Sequence, residues 1–189
     1  MKRLILLLTA ISTYGQYQEK PIVQFGISAD VRNAVIGSKP TNNEPALDYI
    51  LSANIVTPNH VIIGLGYESF KRIKFESFKF ALGYRVPVTE WLSIPLTIEP
   101  HLIYRIHPVT LHKVYIDENG LPQSSNETFT VQRKDGYLAI SYNAGLQFKV
   151  SEHFGVELTS CLMRRSDLKA LYENNKLVLS NYAKIIYQL

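Results

Sequence analysis

The chain has 189 residues, of which 46% are hydrophobic, and a formal charge of +4. Its single cysteine, Cys161, excludes an internal disulfide and a CxxC metal or redox motif. Two of the positive charges, Lys2 and Arg3, lie in the first 15 residues, so the rest of the chain carries only +2 (+4 − 2). We therefore expect no nucleic-acid partner. No run of 18 apolar residues follows Gln16, which excludes a helical membrane protein.

The start of the chain has the pattern of a cleaved signal peptide. A basic Met1-Lys2-Arg3 precedes an apolar segment from Leu4 to Ile11 and the small residues Thr13 and Gly15. That apolar segment is shorter than the roughly 20 residues that a membrane-spanning helix needs. We predict that residues 1–15 direct export and that residues 16–189 form one domain.

Residues 16–189 contain eight stretches in which apolar and polar residues alternate. Alternation with a period of two indicates a β-strand with one apolar face. Within 137–150, for example, Leu138, Ile140 and Tyr142 alternate with Ala139 and Ser141. The eight predicted strands are 23–32, 47–55, 61–68, 77–86, 92–106, 137–150, 154–162 and 177–189.

The connections between the predicted strands alternate between short and long. Tight turns are predicted at 57–59, 87–90 and 151–153, and longer connections at 37–44, 71–75, 107–136 and 168–176. Such asymmetry is typical of a closed antiparallel transmembrane β-barrel, whose short turns face the periplasm and whose longer loops lie outside. A soluble, lipocalin-like barrel in the periplasm is the alternative, because alternation alone does not show which face points outward.

Aromatic residues fall in two groups near the predicted strand ends. Membrane barrels place such rings at both interfaces, between lipid and water. We predict one girdle at the short-turn end and one at the long-loop end: Trp91, Phe148, Phe154 and Tyr187, and Tyr49, Tyr67, Phe75, Tyr104 and Tyr137 respectively.

These strands and turns resemble those of the small eight-stranded outer-membrane β-barrels of the OmpA and OmpX type. The resemblance covers nearly the whole of 16–189 but rests on pattern and includes no invariant motif. It implies the outer membrane of a Gram-negative envelope, contact with outer-membrane lipid, assembly by the barrel-assembly machinery and a monomeric state. The last strand supports it in part, because Ile185 and Tyr187 alternate as that machinery requires, whereas Leu189 replaces the usual terminal aromatic.

An eight-stranded barrel encloses a lumen that side chains fill. Charges in such a space must be paired or hydrated, which favours a structural network of opposite signs. If Val86 pairs with Leu92 across the turn at 87–90, counting along both strands places Lys79 opposite Glu99. The same count outward from the turn at 151–153 places Gln147 opposite Glu157. The predicted lumen residues are Asp30, Arg32, Asp48, Glu68, Lys79, Arg85, Glu99, His101, Arg105, Lys149, Glu157 and Lys184, with Asn54, Asn143 and Gln147.

Two prolines interrupt the fifth predicted strand. Pro95 and Pro100 each lack a backbone N–H, and a closed barrel has no free edge where that loss is harmless. We therefore expect a bulge or an early strand end at this position.

Catalysis has little support in the sequence. Lipid A deacylase barrels use a His-x-Ser arrangement, and none of the five histidines has a serine two positions later. Palmitoyltransferase barrels use His, Asp and Ser near the outer rim, and the long loop does contain His107, His112, Asp117 and Ser124. Polar residues are common in exposed loops, so we expect no enzyme, no cofactor and no metal site.

The 108–135 loop is the most distinctive segment. It contains two apolar stretches, Val114-Tyr115-Ile116 and another that includes Phe129 and Val131, on either side of a polar tip. A hairpin standing above the membrane could bind a surface protein by strand addition. We therefore expect a non-catalytic barrel that acts in surface binding, adhesion or envelope integrity.

Overall fold

The computed structural model describes residues 20–37, 44–165 and 177–189. The predicted signal peptide, 1–15, and most of the predicted connections at 37–44 and 168–176 lie outside these residues. The strands are β1 (Ile22–Asp30), β2 (Tyr49–Val56), β3 (Val61–Phe70), β4 (Phe75–Pro87), β5 (Leu92–Ile116), β6 (Pro122–Lys149), β7 (Phe154–Arg165) and β8 (Leu177–Gln188). A short helix, α1 (Val31–Val35), follows β1, and a 3-10 turn (Lys71–Ile73) joins β3 to β4.

The eight strands close into one antiparallel barrel. Each strand pairs with the next in the chain, and β8 pairs with β1. Tight turns join β2 to β3, β4 to β5 and β6 to β7, all at one end of the barrel. The other connections lie at the opposite end. The predicted fold and strand count are confirmed.

Large apolar side chains cover the outside of the barrel. Leu65, for example, is 66% exposed, whereas its neighbours in sequence, Gly64 and Gly66, belong to the inward face. Polar side chains such as Lys79 and Gln147 are buried inside. The lipocalin-like alternative requires an inward apolar face and is therefore wrong.

An apolar cluster fills the lumen at the long-loop end. It contains Phe70, Phe75, Ile103, Ala139, Cys161, Met163 and Tyr182, with Tyr137 packed against it. Phe75 and Tyr137 were predicted to lie in the outer aromatic girdle, and this is wrong because both rings join the inner cluster. The cluster closes this end of the lumen.

Strand β5 runs through both prolines without a bulge. Pro95 stays in register with Arg85 of β4, and Pro100 stays in register with Ile140 of β6. A strand with two neighbours bonds to each at alternate residues, so one missing N–H weakens the contact with one neighbour only. The predicted bulge or early end is therefore wrong.

The register between β4 and β5 differs from the predicted one. Pro87 pairs with Ser93, which places Lys79 opposite His101 rather than opposite Glu99. The turn keeps its length but its centre lies at Glu90 rather than at Thr89, and this shifts the register by two residues. The predicted pairing of Gln147 with Glu157 is confirmed.

Arg32 does not point into the lumen. It lies exposed in α1, which begins where β1 ends. The Asp30 carboxylate accepts the backbone N–H of Asn33 at 2.8 Å and so caps this helix. The strand therefore ends at Asp30, where the helix begins. Arg32 no longer follows the strand alternation that predicted a lumen position for it.

No helix within the described ranges is long and apolar enough to cross a bilayer.

Candidate functional site

The centre of the lumen holds a buried ion pair between two neighbouring strands. Lys79 Nζ of β4 lies 2.7 Å from Glu68 Oε2 of β3, and each side chain is 4% exposed. The Tyr182 hydroxyl donates to Glu68 Oε1 at 3.3 Å, and the Lys79 ammonium lies 5.7 Å from the Tyr182 ring centre. One carboxylate, one ammonium and one phenol thus tie β3, β4 and β8 together.

Next to this pair, polar side chains surround a small cavity. Glu157 accepts from Thr159 at 2.5 Å and lies 3.8 Å from Lys184 Nζ, while Glu99 accepts from Thr97 at 3.1 Å. The cavity has a volume of about 60 Å³, which is space for a few water molecules.

A buried histidine lies between two serines. His101 Nδ1 is 3.2 Å from Ser77 Oγ, and Nε2 is 2.7 Å from Ser141 Oγ. His101 is 2% exposed and both serines are fully buried. The residue types match those of a hydrolase, but no substrate can reach either hydroxyl, so these contacts support the barrel wall.

The predicted lumen residues lie at different positions along the barrel. Asp30, Asp48, Glu68, Lys79, His101, Gln147 and Glu157 are buried, and Asn54, Glu99, Asn143 and Lys184 line the small cavity. Arg85 and Lys149 lie at the short-turn mouth, where they line a cavity of about 210 Å³ with His60. Arg105 lies at the opposite end, in register with Asp135 of β6.

Sequence reasoning did not single out the side chains that complete this network. Ser77 and Ser141 contact His101, and Tyr182 contacts Glu68, but serine and tyrosine are too common in strands to be noticed individually. Their positions in the alternation could have identified them, because each residue lies on the inward face of its strand.

Strands β5 and β6 continue as a hairpin beyond the other strands. Pairing with β4 ends at Arg105 and pairing with β7 ends at Ala139, but β5 and β6 stay paired up to Ile116 and Pro122. Nine further residues, 108–116, extend the pair by about 30 Å. Within the described chain, the ladders pair 108–116 and 122–132 only with each other.

The tip of this hairpin is held by one carboxylate. Asp117 Oδ1 accepts the backbone N–H groups of Asn119 and Leu121 at 2.9 and 2.8 Å, and Oδ2 accepts from Gln123 at 3.2 Å. These bonds, above all the one from Leu121, lower the pKa of Asp117 below its ordinary value. Gly120 closes the turn at a φ of +77°.

The two faces of the hairpin differ in polarity. On one face Val109 pairs with Val131, and Leu111 with Phe129. On the other face Thr110 pairs with Thr130, and along the strands this pair lies between the two apolar pairs. Leu111 is 42% exposed and Phe129 is 49% exposed. We call the four residues Val109, Leu111, Phe129 and Val131 the apolar ladder.

Comparison with known proteins supports the fold. No family model and no curated protein matches the sequence. A de novo designed transmembrane β-barrel is 10% identical, with a TM-score of 0.51 over 92% of this chain and 100% of its own. Neisserial surface protein A is 12% identical (TM-score 0.48; 89% and 92% covered). Ail of Yersinia pestis, solved in a phospholipid nanodisc, is 16% identical (TM-score 0.47; 91% and 100% covered).

At these identities the likeness concerns the fold, and the designed barrel, with a TM-score above 0.5, carries it. A closed eight-stranded barrel with an apolar outer face and a filled polar lumen matches this class. The chain has the fold of a small eight-stranded transmembrane β-barrel. In outer-membrane barrels of this fold the short turns face the periplasm and the longer loops lie outside the cell, and the sequence predicts the same orientation here.

Aromatic side chains contact one another at both ends of the barrel. At the short-turn end Trp91 stacks on Phe148, with ring centres 6.2 Å apart, and Phe154 lies 5.3 Å from Tyr187. At the long-loop end Tyr67 lies 5.2 Å from Phe78, and Phe78 lies 6.4 Å from Tyr104. The two aromatic girdles stay a prediction, which these contacts at the strand ends support.

The hairpin does not assemble the predicted palmitoyltransferase-like residues. His112 pairs with Thr128 in mid-hairpin, whereas Ser124 pairs with Val114 nearer the tip. Both carboxylate oxygens of Asp117 already hold the turn. Among the described residues, no group of His, Cys, Asp and Glu is placed to bind a metal ion.

Asp48, just before β2, gives the barrel a pH dependence that can be measured. Burial, with Glu68 nearby, raises the pKa of Asp48 from 3.8 to about 9, while Lys79 opposes the rise. The folded barrel thus holds a proton that the unfolded chain releases, and stability should fall as pH rises from about 4 towards 9, by at most about 1.4 kcal/mol per unit.

Asp48→Asn should flatten this dependence, because an amide imitates the protonated acid and can still accept from Asn33. Urea unfolding in lipid vesicles at pH 5 and pH 8 provides the measurement. An equal slope in both proteins would contradict the assignment of the proton to Asp48.

Proposed function

We propose that the barrel binds an extracellular protein through the hairpin of β5 and β6. The observation that carries this proposal is the apolar ladder, which is exposed on a two-stranded hairpin in water. Contiguous apolar surface outside the membrane is typical of a binding site. The barrel body serves as a membrane anchor for this surface.

The edges of the hairpin support the same function. Residues 108–116 and 122–134 each have one side that pairs with no other described strand. An extended segment of a partner can add to such an edge through main-chain hydrogen bonds, while the apolar ladder receives its side chains.

The filled lumen makes transport a poor alternative. The apolar cluster around Ile103 and Phe75 occupies the external end, and the cavity below it holds only about 60 Å³. A solute would have to displace both the cluster and the Lys79–Glu68 pair. We therefore assign the function to the external surface.

Substitutions on the two faces of the hairpin test the proposal. We expect Leu111→Asp with Phe129→Asp to reduce attachment of cells producing the barrel to immobilised extracellular proteins at least tenfold. The matched control, Thr110→Asp with Thr130→Asp, puts the same charges on the adjacent cross-strand pair of the opposite face and should change attachment less than twofold.

Equal amounts of folded barrel at the surface must be shown by heat-modifiable migration on a gel. Attachment of the wild type that does not exceed that of cells lacking the barrel would contradict the proposal. An equal loss in both double variants would also contradict it, because the apolar ladder would then have no special part.

A further inference from the structure

One polar pair lies on the lipid-facing surface of the barrel. Ser160 of β7 and Asn181 of β8 face each other across the ladder, and both side chains are exposed. Ser160 Oγ donates to Asn181 Oδ1 at 2.9 Å. In the described strands, the other outward residues between the two girdles are apolar or aromatic.

The pair lies within the hydrocarbon layer. Leu158 and Ala183 are the outward residues next to it on the periplasmic side, and Leu162 and Leu179 on the external side. It is six residues from the girdle residues Phe154 and Tyr187. With a strand tilt near 40°, this places the pair about 15 Å above that girdle in an apolar band about 25 Å tall.

The donor groups of the Asn181 amide have no partner among the described residues. Its oxygen accepts from Ser160, but no described residue accepts the two N–H groups of Nδ2. Acyl chains offer no acceptor, and an unsatisfied N–H in hydrocarbon is costly. The side chain is also too short to reach the headgroups.

We propose that this surface joins two copies of the barrel through their Asn181 side chains. A carboxamide carries both a donor and an acceptor, so two copies related by a twofold axis can exchange N–H···O bonds between the same residues. An acyl chain cannot do this. This proposal differs from the monomeric state that the resemblance implies.

The surroundings of Asn181 allow close approach. Ala183 is its outward neighbour on β8, and Ala144 of β6 lies in register with Ser160. An apolar groove of about 930 Å³ begins beside Ser160 and is lined by Tyr142, Leu162 and Leu179 among others. Small residues at the polar centre let a second barrel come near enough for amide contact.

Sedimentation equilibrium in density-matched detergent tests the dimer. We expect the wild type to be dimeric and Asn181→Leu to bind its own kind at least tenfold more weakly while folding normally. Ser160→Ala should stay dimeric, since Asn181 remains, and so should Asn143→Leu, the same amide-to-leucine change facing the lumen. A monomeric wild type, or an unchanged dimer in Asn181→Leu, would overturn the proposal.

Disulfide crosslinking in native outer membranes provides a second measurement. In a Cys161→Ser background, Asn181→Cys should give a product of twice the monomer mass on mild oxidation. Leu65→Cys, on β3 across the barrel, should give none. Equal crosslinking at both positions would indicate random collision, and a product of another mass would indicate a different membrane protein; either result excludes the twofold Asn181 contact.

Discussion

Tyr142→Arg is expected to block assembly of the barrel, whereas Asn143→Arg, one residue further along the same strand, is not. Tyr142 points outward and is 54% exposed, and Asn143 lines the small lumen cavity with Glu99 and Glu157. A cation facing lipid near the midplane costs about 2–4 kcal/mol. The same cation in the lumen faces a cavity that is lined by two carboxylates.

Two measurements check this result. Heat-modifiable migration gives the folded fraction in cells, and urea titration in vesicles gives the free energy of unfolding. Tyr142→Leu separates the added charge from the lost aromatic ring and should assemble normally. If Asn143→Arg failed to assemble as completely as Tyr142→Arg, the assignment of the two faces would be wrong.

Lys79→Met is expected to destabilise the folded barrel by about 3–5 kcal/mol. Lys79 and Glu68 are 2.7 Å apart and buried, so this change takes the ammonium away from a carboxylate that remains inside the barrel. Breaking one side of a buried pair costs much more than replacing both sides by neutral groups.

A second variant and a control make this prediction specific. Lys79→Met combined with Glu68→Gln should recover most of the lost stability, since no charge then lacks its partner. Lys113→Met removes the same residue type from an exposed pair with Glu127 on the hairpin and should have little effect. Additive losses in the double variant would show that the two side chains do not act as a pair.

The two faces of the barrel could be predicted because they depend on the period of the strand alone. Leu138 and Tyr142 were placed outside and Lys79 and Asn143 inside, as the structure has them. The pairing of Gln147 with Glu157 could also be predicted, since a tight turn around Glu152 fixes the register nearby.

Other features depend on contacts that are distant in sequence. Lys79 was assigned to Glu99 on the strand that follows, but its partner is Glu68 on the strand before, because the β4–β5 turn shifts the register by two. Arg32 was placed inside by extending an alternation that the Asp30 cap interrupts. Phe75 was placed among the girdle rings although it packs on Ile103 inside.

The 108–135 segment shows the same division. Its apolar stretches suggested strand extensions, but their cross-strand partners were not visible in the sequence. Pairing in space brings Leu111 next to Phe129 and creates a surface with one apolar face.

The sequence by itself determined that this protein has eight one-sided strands with short and long connections, because a period of two and turn residues are local properties. Only the tertiary structure decided which charges meet in the lumen, which apolar side chains fill its long-loop end and that Asn181 pairs with Ser160 on the outer surface. These features arise when the barrel closes, since closure brings together residues that are neighbours in the ladder and far apart in the chain.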